Sequence, residues 1–418
     1  MQIAFLIERN IYYKSFGSVM DEALKKGHKV FCFHDYAQPR GGHQKAYQFP
    51  SIANVPLFKN GNVQTVKYNN NQDFLQKIKQ HNIKVLVTLH FSQQHTELRE
   101  NIKKQGVYWV AFQHSFDTVN FAKYAHLPDK YFVYTNKWID WILDYRIKQN
   151  ISEATNRIRE TIKSTGFVQL DQKSLINKEE VRQEWGIPER KNVVLYLPFP
   201  FGSSNDAFWV PFIYGRNISF KSFILFLKNI GKLRLRHIKQ LIKKQNDKSA
   251  VLALKEFCNN NNAYLLVKSR KKDPVPKYVE KVADKVLYDD NFYPSTMLKC
   301  LSVSDLCIHF YSSVVTEAVP MDVPSLCITP SQKDWQSIQG DLWDMLLIKT
   351  KKLFNFREAS YSLTIPETIK ELPKKTFKDF PLTKQAKQQY VKEFIGNNDV
   401  NYSSLAVKEI ESLVNTGK

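Results

Sequence analysis

The sequence is poor in chain breakers and in sulfur. Its 418 residues hold 14 glycines, 17 prolines and five cysteines. Glycine and proline at that level exclude a collagen-like repeat and a low-complexity chain. The cysteines (Cys32, Cys258, Cys300, Cys307, Cys327) are odd in number, form no C-x-x-C pair and sit partly inside apolar runs. Such a set predicts reduced thiols in a cytosolic protein, not a disulfide scaffold. No run of 18 apolar residues occurs, so no segment is expected to span a bilayer. The opening MQIAFLIERN has only Ile3–Ile7 as an apolar stretch before Glu8 and Arg9. It lacks the basic start and long apolar segment of a secretory signal. The expectation is a cytoplasmic protein, peripheral on the membrane at most. Neither G-x-G-x-x-G nor G-x-x-x-x-G-K-[ST] occurs, and no Cys/His group has zinc spacing. Dinucleotide redox chemistry, P-loop phosphotransfer and a zinc site are thereby disfavoured.

Acid is scarce relative to base: 40 Asp+Glu against 61 Lys+Arg leave a formal charge of +21. A surplus of that size attracts polyanions, whether nucleic acid, anionic headgroups or phosphate-bearing substrates. The basic residues are spread over both halves without a nucleic-acid-binding motif, so nucleic acid is the weakest of these partners. What the chain has in quantity is apolar and aromatic material, 43% and 13%, enough for real cores. Its length predicts two domains.

Short apolar runs alternate with helical patterns. Gln2–Ile7, an amphipathic stretch through Val19, Ala23 and Leu24 closing at Gly27, and Val30–Phe33 read as strand, helix, strand. The alternation continues through Val85–Leu89, a polar helix to Lys104, Val107–Phe112, Tyr131–Tyr134 and Gly166–Val168. A second series starts after Trp185-Gly186-Ile187-Pro188, with strands at Asn192–Leu197, Ala263–Val267, Val286–Tyr288, Leu306–Phe310 and Ser325–Ile328. Buried strands alternating with helices imply mostly parallel sheets covered on both faces. The expected architecture is α/β: two Rossmann-like doubly wound domains facing a central cleft. The expected boundaries are an N-terminal domain over 1–171, a linker over 172–190, a C-terminal domain over 191–382 and bridging helices over 383–418.

The stretch 199–248 breaks the pattern. It opens FPFGSSNDAFWVPFIYG, and between Lys221 and Lys248 it carries nine Lys/Arg against one acid, Asp247. It reads either as an element resting Phe208, Trp209, Phe212 and Tyr214 on an anionic membrane surface, or as an amphipathic helix packed on its domain.

The chemistry concentrates after Leu306–Phe310. That run leads into Tyr311-Ser312-Ser313, and a helix pattern starts at once, with Glu317 a turn later. Hydroxyls and amides at such a turn make a phosphate pocket, with the carboxylate in reach of a ribose diol. The competing reading makes Ser312 an N-cap and puts Glu317 on a solvated face. After the strand Ala263–Val267 come Lys268 and Arg270, either phosphate-binding cations or part of a solvated basic loop. His114 follows Val107–Phe112 in the turn Gln113-His114-Ser115. Its near-neutral titration suits a general base, although a lone histidine is more often structural. His90 and His95, after the preceding strand, suit that role less well.

The passage SDLCIHFYSSVVTEA (304–318) resembles the donor-site signature of GT-B glycosyltransferases. It is closest to the branch of CDP-glycerol glycerophosphotransferases and UDP-sugar epimerases. Further blocks resemble the same family in the same order: MQIAFLIERNIYYKSF, DKYFVYTNKW with KSTGFVQLD, EEVRQEWGIPERKNVVLYLP, LLVKSRKKDP, LYDDNFYPSTMLKCLSVSD and FIGNNDVNYSSLAVKEI. The resemblance covers most of the chain except 199–248. Two departures stand out: Lys268-Ser269-Arg270 replaces a K-x-H-P pattern, and Asp399-Val400 replaces Asp-Gly.

The resemblance implies a transferase that moves a sugar from a nucleotide-activated donor to a surface polysaccharide or lipid-linked glycan. A polyol-phosphate transfer of the CDP-glycerol type and a non-hydrolysing UDP-sugar 2-epimerase are the alternatives it allows. It implies that Ser312 and Ser313 bind the donor phosphates, Glu317 the ribose, and Lys268 and Arg270 the diphosphate charge. His114, in a turn resembling the family's Q-H-G, would be the base. Glu8, Arg9 and Lys14, after the first strand, would line the acceptor side. Single-Rossmann glycosyltransferases hold a metal with D-x-D. No such triplet occurs here, so the expectation is a metal-independent site without a cofactor.

Overall fold

Among the described residues, thirteen strands form two separate sheets, and every strand pairing within them is parallel. In this computed structural model the described residues are 1–36, 55–89, 94–113, 122–151, 155–198, 247–269, 275–288, 291–310, 312–329, 353–397 and 400–416. The chain divides into two units by its internal contacts. The first is Met1–Leu175 with Asn291–Ser295 and Val391–Lys418; the second is Ile176–Asp290 with Thr296–Tyr390.

The first unit carries β1 (Gln2–Ile7), β2 (Lys29–Asp35), β3 (Gln64–Tyr68), β4 (Val85–Thr88), β5 (Tyr108–Phe112), β6 (Lys130–Val133) and β7 (Ile162–Ser164). Their spatial order is β3-β2-β1-β4-β5-β6-β7. The order reverses between β1 and β4, as in doubly wound nucleotide-binding folds. Alternate residues of each strand enter opposite layers. Ala4, Leu6, Phe31, Phe33 and Leu86 pack with Phe74 and Ile78 of the helix Asn71–Gln80. Phe5 instead meets Phe16 of the helix Tyr12–Lys25, with ring centroids 5.4 Å apart.

The second unit carries β8 (Asn192–Leu197), β9 (Ala263–Lys268), β10 (Lys285–Leu287), β11 (Leu306–His309), β12 (Ser325–Thr329) and β13 (Ser360–Thr364). They lie in the order β10-β9-β8-β11-β12-β13. That is the same winding, with its reversal between β8 and β11. Val194, Tyr196, Leu265, Val267, Leu306, Ile308, Leu326 and Ile328 form one core with Leu254 and Phe257 of the helix Asp247–Asn260.

The structure differs from the sequence expectation at three strands. The run Gly166–Val168 is not a strand. Gly166 has φ +85°, which a parallel strand cannot continue, and Val168 opens a 3-10 helix ending at Leu175. The strand is Ile162–Ser164, just before it. The polar β3 and β13 were not expected at all.

The C-terminal part is two helices, Lys384–Phe394 and Tyr402–Thr416. The second is tied to the first unit by motif residues. Asp171 accepts from the Ser403 amide at 2.6 Å, satisfying a helix-start donor. Burial raises the Asp171 carboxyl pKa, opposed by its bonds to Ser403. Gly166 and Gly396 pack against the Tyr402 ring. A Cβ at Gly166 would lie 2.1 Å from Tyr402 Cδ1, and one at Gly396 3.0 Å from the Gly166 Cα.

The excursion Asn291–Ser295 is fixed to the first unit by side chains. The Tyr293 hydroxyl donates to Asp21 Oδ2 at 3.2 Å, and its ring lies 5.1 Å from that of Phe58. The Ser295 amide donates to Gln172 Oε1 at 2.9 Å, while Gln172 Nε2 donates to the Lys14 carbonyl at 2.7 Å.

Two glycine substitutions separate backbone strain from crowding. Gly27 has φ +76° with open space at its Cβ position, so Gly27→Ala should cost only the left-handed backbone, about 1 kcal/mol. Gly166→Ala adds the collision with Tyr402 and should cost about 3 kcal/mol. Urea unfolding of both variants measures the difference.

Candidate active site

Open parallel sheets bind ligands beyond the carboxyl ends of their strands, where the strand order reverses. In the second unit that point lies between β8 and β11, whose last residues pair as Leu197 and His309. Three of the expected donor residues follow β11 and one ends β9, the neighbour of β8.

β11 is buried along its whole length, and His309 is fully buried with it. A histidine in such a place must have its ring nitrogens satisfied. The Ser312 amide donates to His309 Nδ1 at 3.1 Å. An amide only donates, so Nδ1 is the acceptor and the neutral ring carries its proton on Nε2. Nε2 then donates to Ser325 Oγ, 2.8 Å away on β12. Burial pulls the His309 pKa down to about 3, so this tautomer persists at neutral pH.

The turn that follows is held from inside. Ser312 Oγ accepts from the Val314 amide at 3.2 Å, and the Ser313 carbonyl accepts from the Thr316 amide and hydroxyl. Ser312 and Ser313 are half-buried. Among the described residues, the Ser313 amide and hydroxyl have no hydrogen-bond partner. The helix after the turn is a single turn, Val315–Ala318, continued by a 3-10 turn to Met321. So short a helix adds little macrodipole; what the turn offers a ligand is its own amides and hydroxyls. Glu317 is 3% exposed, not on a solvated face. Its charge, after burial and Cys300, helps raise the pKa of the fully buried Cys307.

Lys268 ends β9 and is 7% exposed. Its ammonium donates to the Ser269 carbonyl at 2.7 Å. Arg270 lies outside the described residues, as do His114 and the stretch 199–246. Gln113, which precedes His114, is buried at the end of β5, and its Oε1 accepts from the Tyr134 amide at 2.9 Å. In the first unit Glu8 and Arg9 follow β1 half-buried, and the Tyr12 hydroxyl donates to Glu8 Oε2 at 3.0 Å. Lys14 lies on the helix Tyr12–Lys25, half-buried.

Sequence reasoning missed His309 and Ser325. The available signal was a histidine inside an otherwise apolar strand, LCIHF.

Among the described residues no group of three or more His, Cys, Asp or Glu is placed to hold a metal ion. No helix among them is long and apolar enough to cross a membrane.

No family model matches the sequence, and no curated protein is similar enough in sequence to count as a match. Solved structures are similar in fold. A variant of the wall teichoic acid polymerase TagF is 13% identical over 100% of this chain and 88% of its own, with a TM-score of 0.57. A putative UDP-N-acetylglucosamine 2-epimerase from Listeria monocytogenes is 10% identical over 99% and 96%, with a TM-score of 0.53. The UDP-GlcNAc 2-epimerase of Methanocaldococcus jannaschii is 12% identical over 99% and 100%, with a TM-score of 0.54. The chain has the GT-B fold. Identities this low carry the fold and no reaction.

The buried imidazole gives the site a pH signature. The unfolded ring takes a proton near pH 6.5 and the folded ring only near 3. Below pH 6.5 the unfolded state therefore binds more protons, and stability falls with pH. By pH 5 the loss from His309 alone should be about 2 kcal/mol. Urea unfolding at pH 7.5 and 5.0 should show a gap smaller by that amount in His309→Asn.

Proposed function

We propose that this chain is a nucleotide-dependent transferase. It would move a sugar from a nucleotide-activated donor to a glycan or lipid-linked acceptor, such as a growing surface polysaccharide. A polyol phosphate of the CDP-glycerol type is the alternative cargo. The observation that carries the reading is the β11 turn at the strand-order reversal of the second sheet. It keeps the amide and hydroxyl of Ser313 unengaged among the described residues. Donors of that kind suit phosphate oxygens and the charge that grows on a departing nucleotide.

In this reading Ser312 and Ser313 hold the donor phosphates. Lys268, with Arg270, supplies fixed positive charge, and Glu317 takes the ribose. His114 removes the acceptor hydroxyl proton as the oxygen attacks the transferred group and the nucleotide leaves. Glu8, Arg9 and Lys14 serve the acceptor. The leaving group is stabilised by hydrogen bonds and cations alone, without a metal. The solved neighbours support a nucleotide-linked substrate: one TagF structure was soaked with CDPG and one epimerase, from Neisseria meningitidis, holds UDP-GlcNAc. Those ligands belong to those proteins.

Epimerisation is the second reading, because epimerases share this fold, as three of the neighbours do. It needs acid and base carboxylates around the sugar. Incubation with UDP-GlcNAc and no acceptor separates the two, because only the epimerase forms product.

The purified protein should bind or turn over at least one of a panel of UDP-, CDP-, CMP- and GDP-linked donors, read by nucleotide release. Chelation with EDTA should leave that turnover unchanged. Ser313→Ala should weaken nucleotide binding roughly tenfold, the loss of one hydrogen bond to a charged group. Binding of no donor at all defeats the proposal.

A further inference from the structure

We infer that His309 is a positioning residue for the nucleotide site: it fixes the Ser312–Ser313 turn from beneath without touching the ligand. The inference rests on the nucleotide reading and adds the residue on which that site's shape depends.

The argument begins with the backbone. A parallel strand ends by releasing its amides, and a free turn after β11 would have several arrangements for them. Here the Ser312 amide is drawn back onto His309 Nδ1, and Ser312 Oγ takes the Val314 amide. With both neighbours committed, Ser313 is left, among the described residues, with its amide and hydroxyl for a ligand. The ring that does this is itself immobilised. Nε2 donates to Ser325 Oγ, and Ser325 starts β12, paired with Cys307 of β11 and followed on its far side by Ser360 of β13. The Ser325 amide in turn donates to the Ala359 carbonyl at 3.3 Å. The ring of Phe354 lies 6.0 Å from the imidazole, tilted by 54°. A line of hydrogen bonds thus runs from the β12–β13 side of the sheet, through the imidazole, to the turn. Both ends of the line need a specific atom: an acceptor at Nδ1 and a donor at Nε2. Preorganisation of this kind lowers the ordering cost of binding.

The two nitrogens have separate side-chain mimics, which makes the idea testable. Asparagine places an acceptor where Nδ1 stands; glutamine reaches toward the Nε2 position and leaves the Ser312 amide without its partner. The test is calorimetric titration of the full chain with UDP, CDP, CMP and GDP, for wild type, His309→Asn, His309→Gln and Ser325→Ala. Thermal melts verify folding. Using whichever nucleotide wild type binds, His309→Asn should retain affinity within about threefold, and His309→Gln should lose at least tenfold. Ser325→Ala should fall between them. Equal affinity in Asn and Gln variants, whether unchanged or equally reduced, overturns the inference while leaving the nucleotide reading intact. Should His309→Gln fail to fold, Ser325→Ala against Ser325→Thr decides. Only the threonine, which keeps the hydroxyl, should bind like wild type, and equal binding by the two overturns the idea. Wild type that binds none of the four nucleotides removes both the nucleotide reading and this one.

Discussion

A strand buried on both faces has no place for an unsatisfied polar atom, so a parallel sheet sends its chemistry to the strand ends. Both sheets of this protein obey that constraint. The described residues proposed for the donor and acceptor sides lie at or beyond the ends of β1, β9 and β11, and the strands themselves are apolar almost throughout. β2 and β11 each carry a buried histidine, His34 and His309. His309 is tolerated inside because both of its nitrogens are engaged, one by a backbone amide and one by a serine on the next strand. The exception is informative. A buried polar group that is fully satisfied specifies one arrangement of the groups around it, and here those groups form the turn that follows.

How much of this could be read from the residues alone depends on the range of the interactions involved. Central strands announce themselves as apolar runs. β1, β2, β4, β5, β6, β8, β9, β11 and β12 were legible because burial on both faces makes them apolar along most of their length. β3 (QTVKY) and β13 (SYSLT) lie at sheet edges, alternate polar with apolar side chains, and so lack that signature. β7 was displaced because GFV looks like a buried run, whereas the left-handed backbone at Gly166 turns the chain there. The paired serines were legible as a short-range motif. The role of His309 was not, because it depends on Ser325, sixteen residues away and brought close only by sheet pairing.

Motif residues also proved to differ in kind. Gly166 and Asp171 in one block, and Gly396 and Tyr402 in another, read as parts of one signature. In space they meet each other: two glycines make room for one aromatic ring, and a carboxylate holds the start of the closing helix. Packing and one carboxylate–amide bond explain these four residues, with no chemistry required. The serine turn is explained by neither packing nor core formation, which is why the functional reading rests on it.

The division of the chain into units has a consequence for how the protein is made. The backbone passes from one unit to the other four times, at 175–176, 290–291, 295–296 and 390–391. Neither unit corresponds to an uninterrupted stretch of gene. During translation the N-terminal sheet emerges first, yet the Tyr293 excursion and the closing helix that belong to it come only after most of the second sheet has been synthesised. The first unit must wait for residues 391–418 to complete what residues 1–175 began, and a fragment cut at any single crossing would inherit an incomplete body.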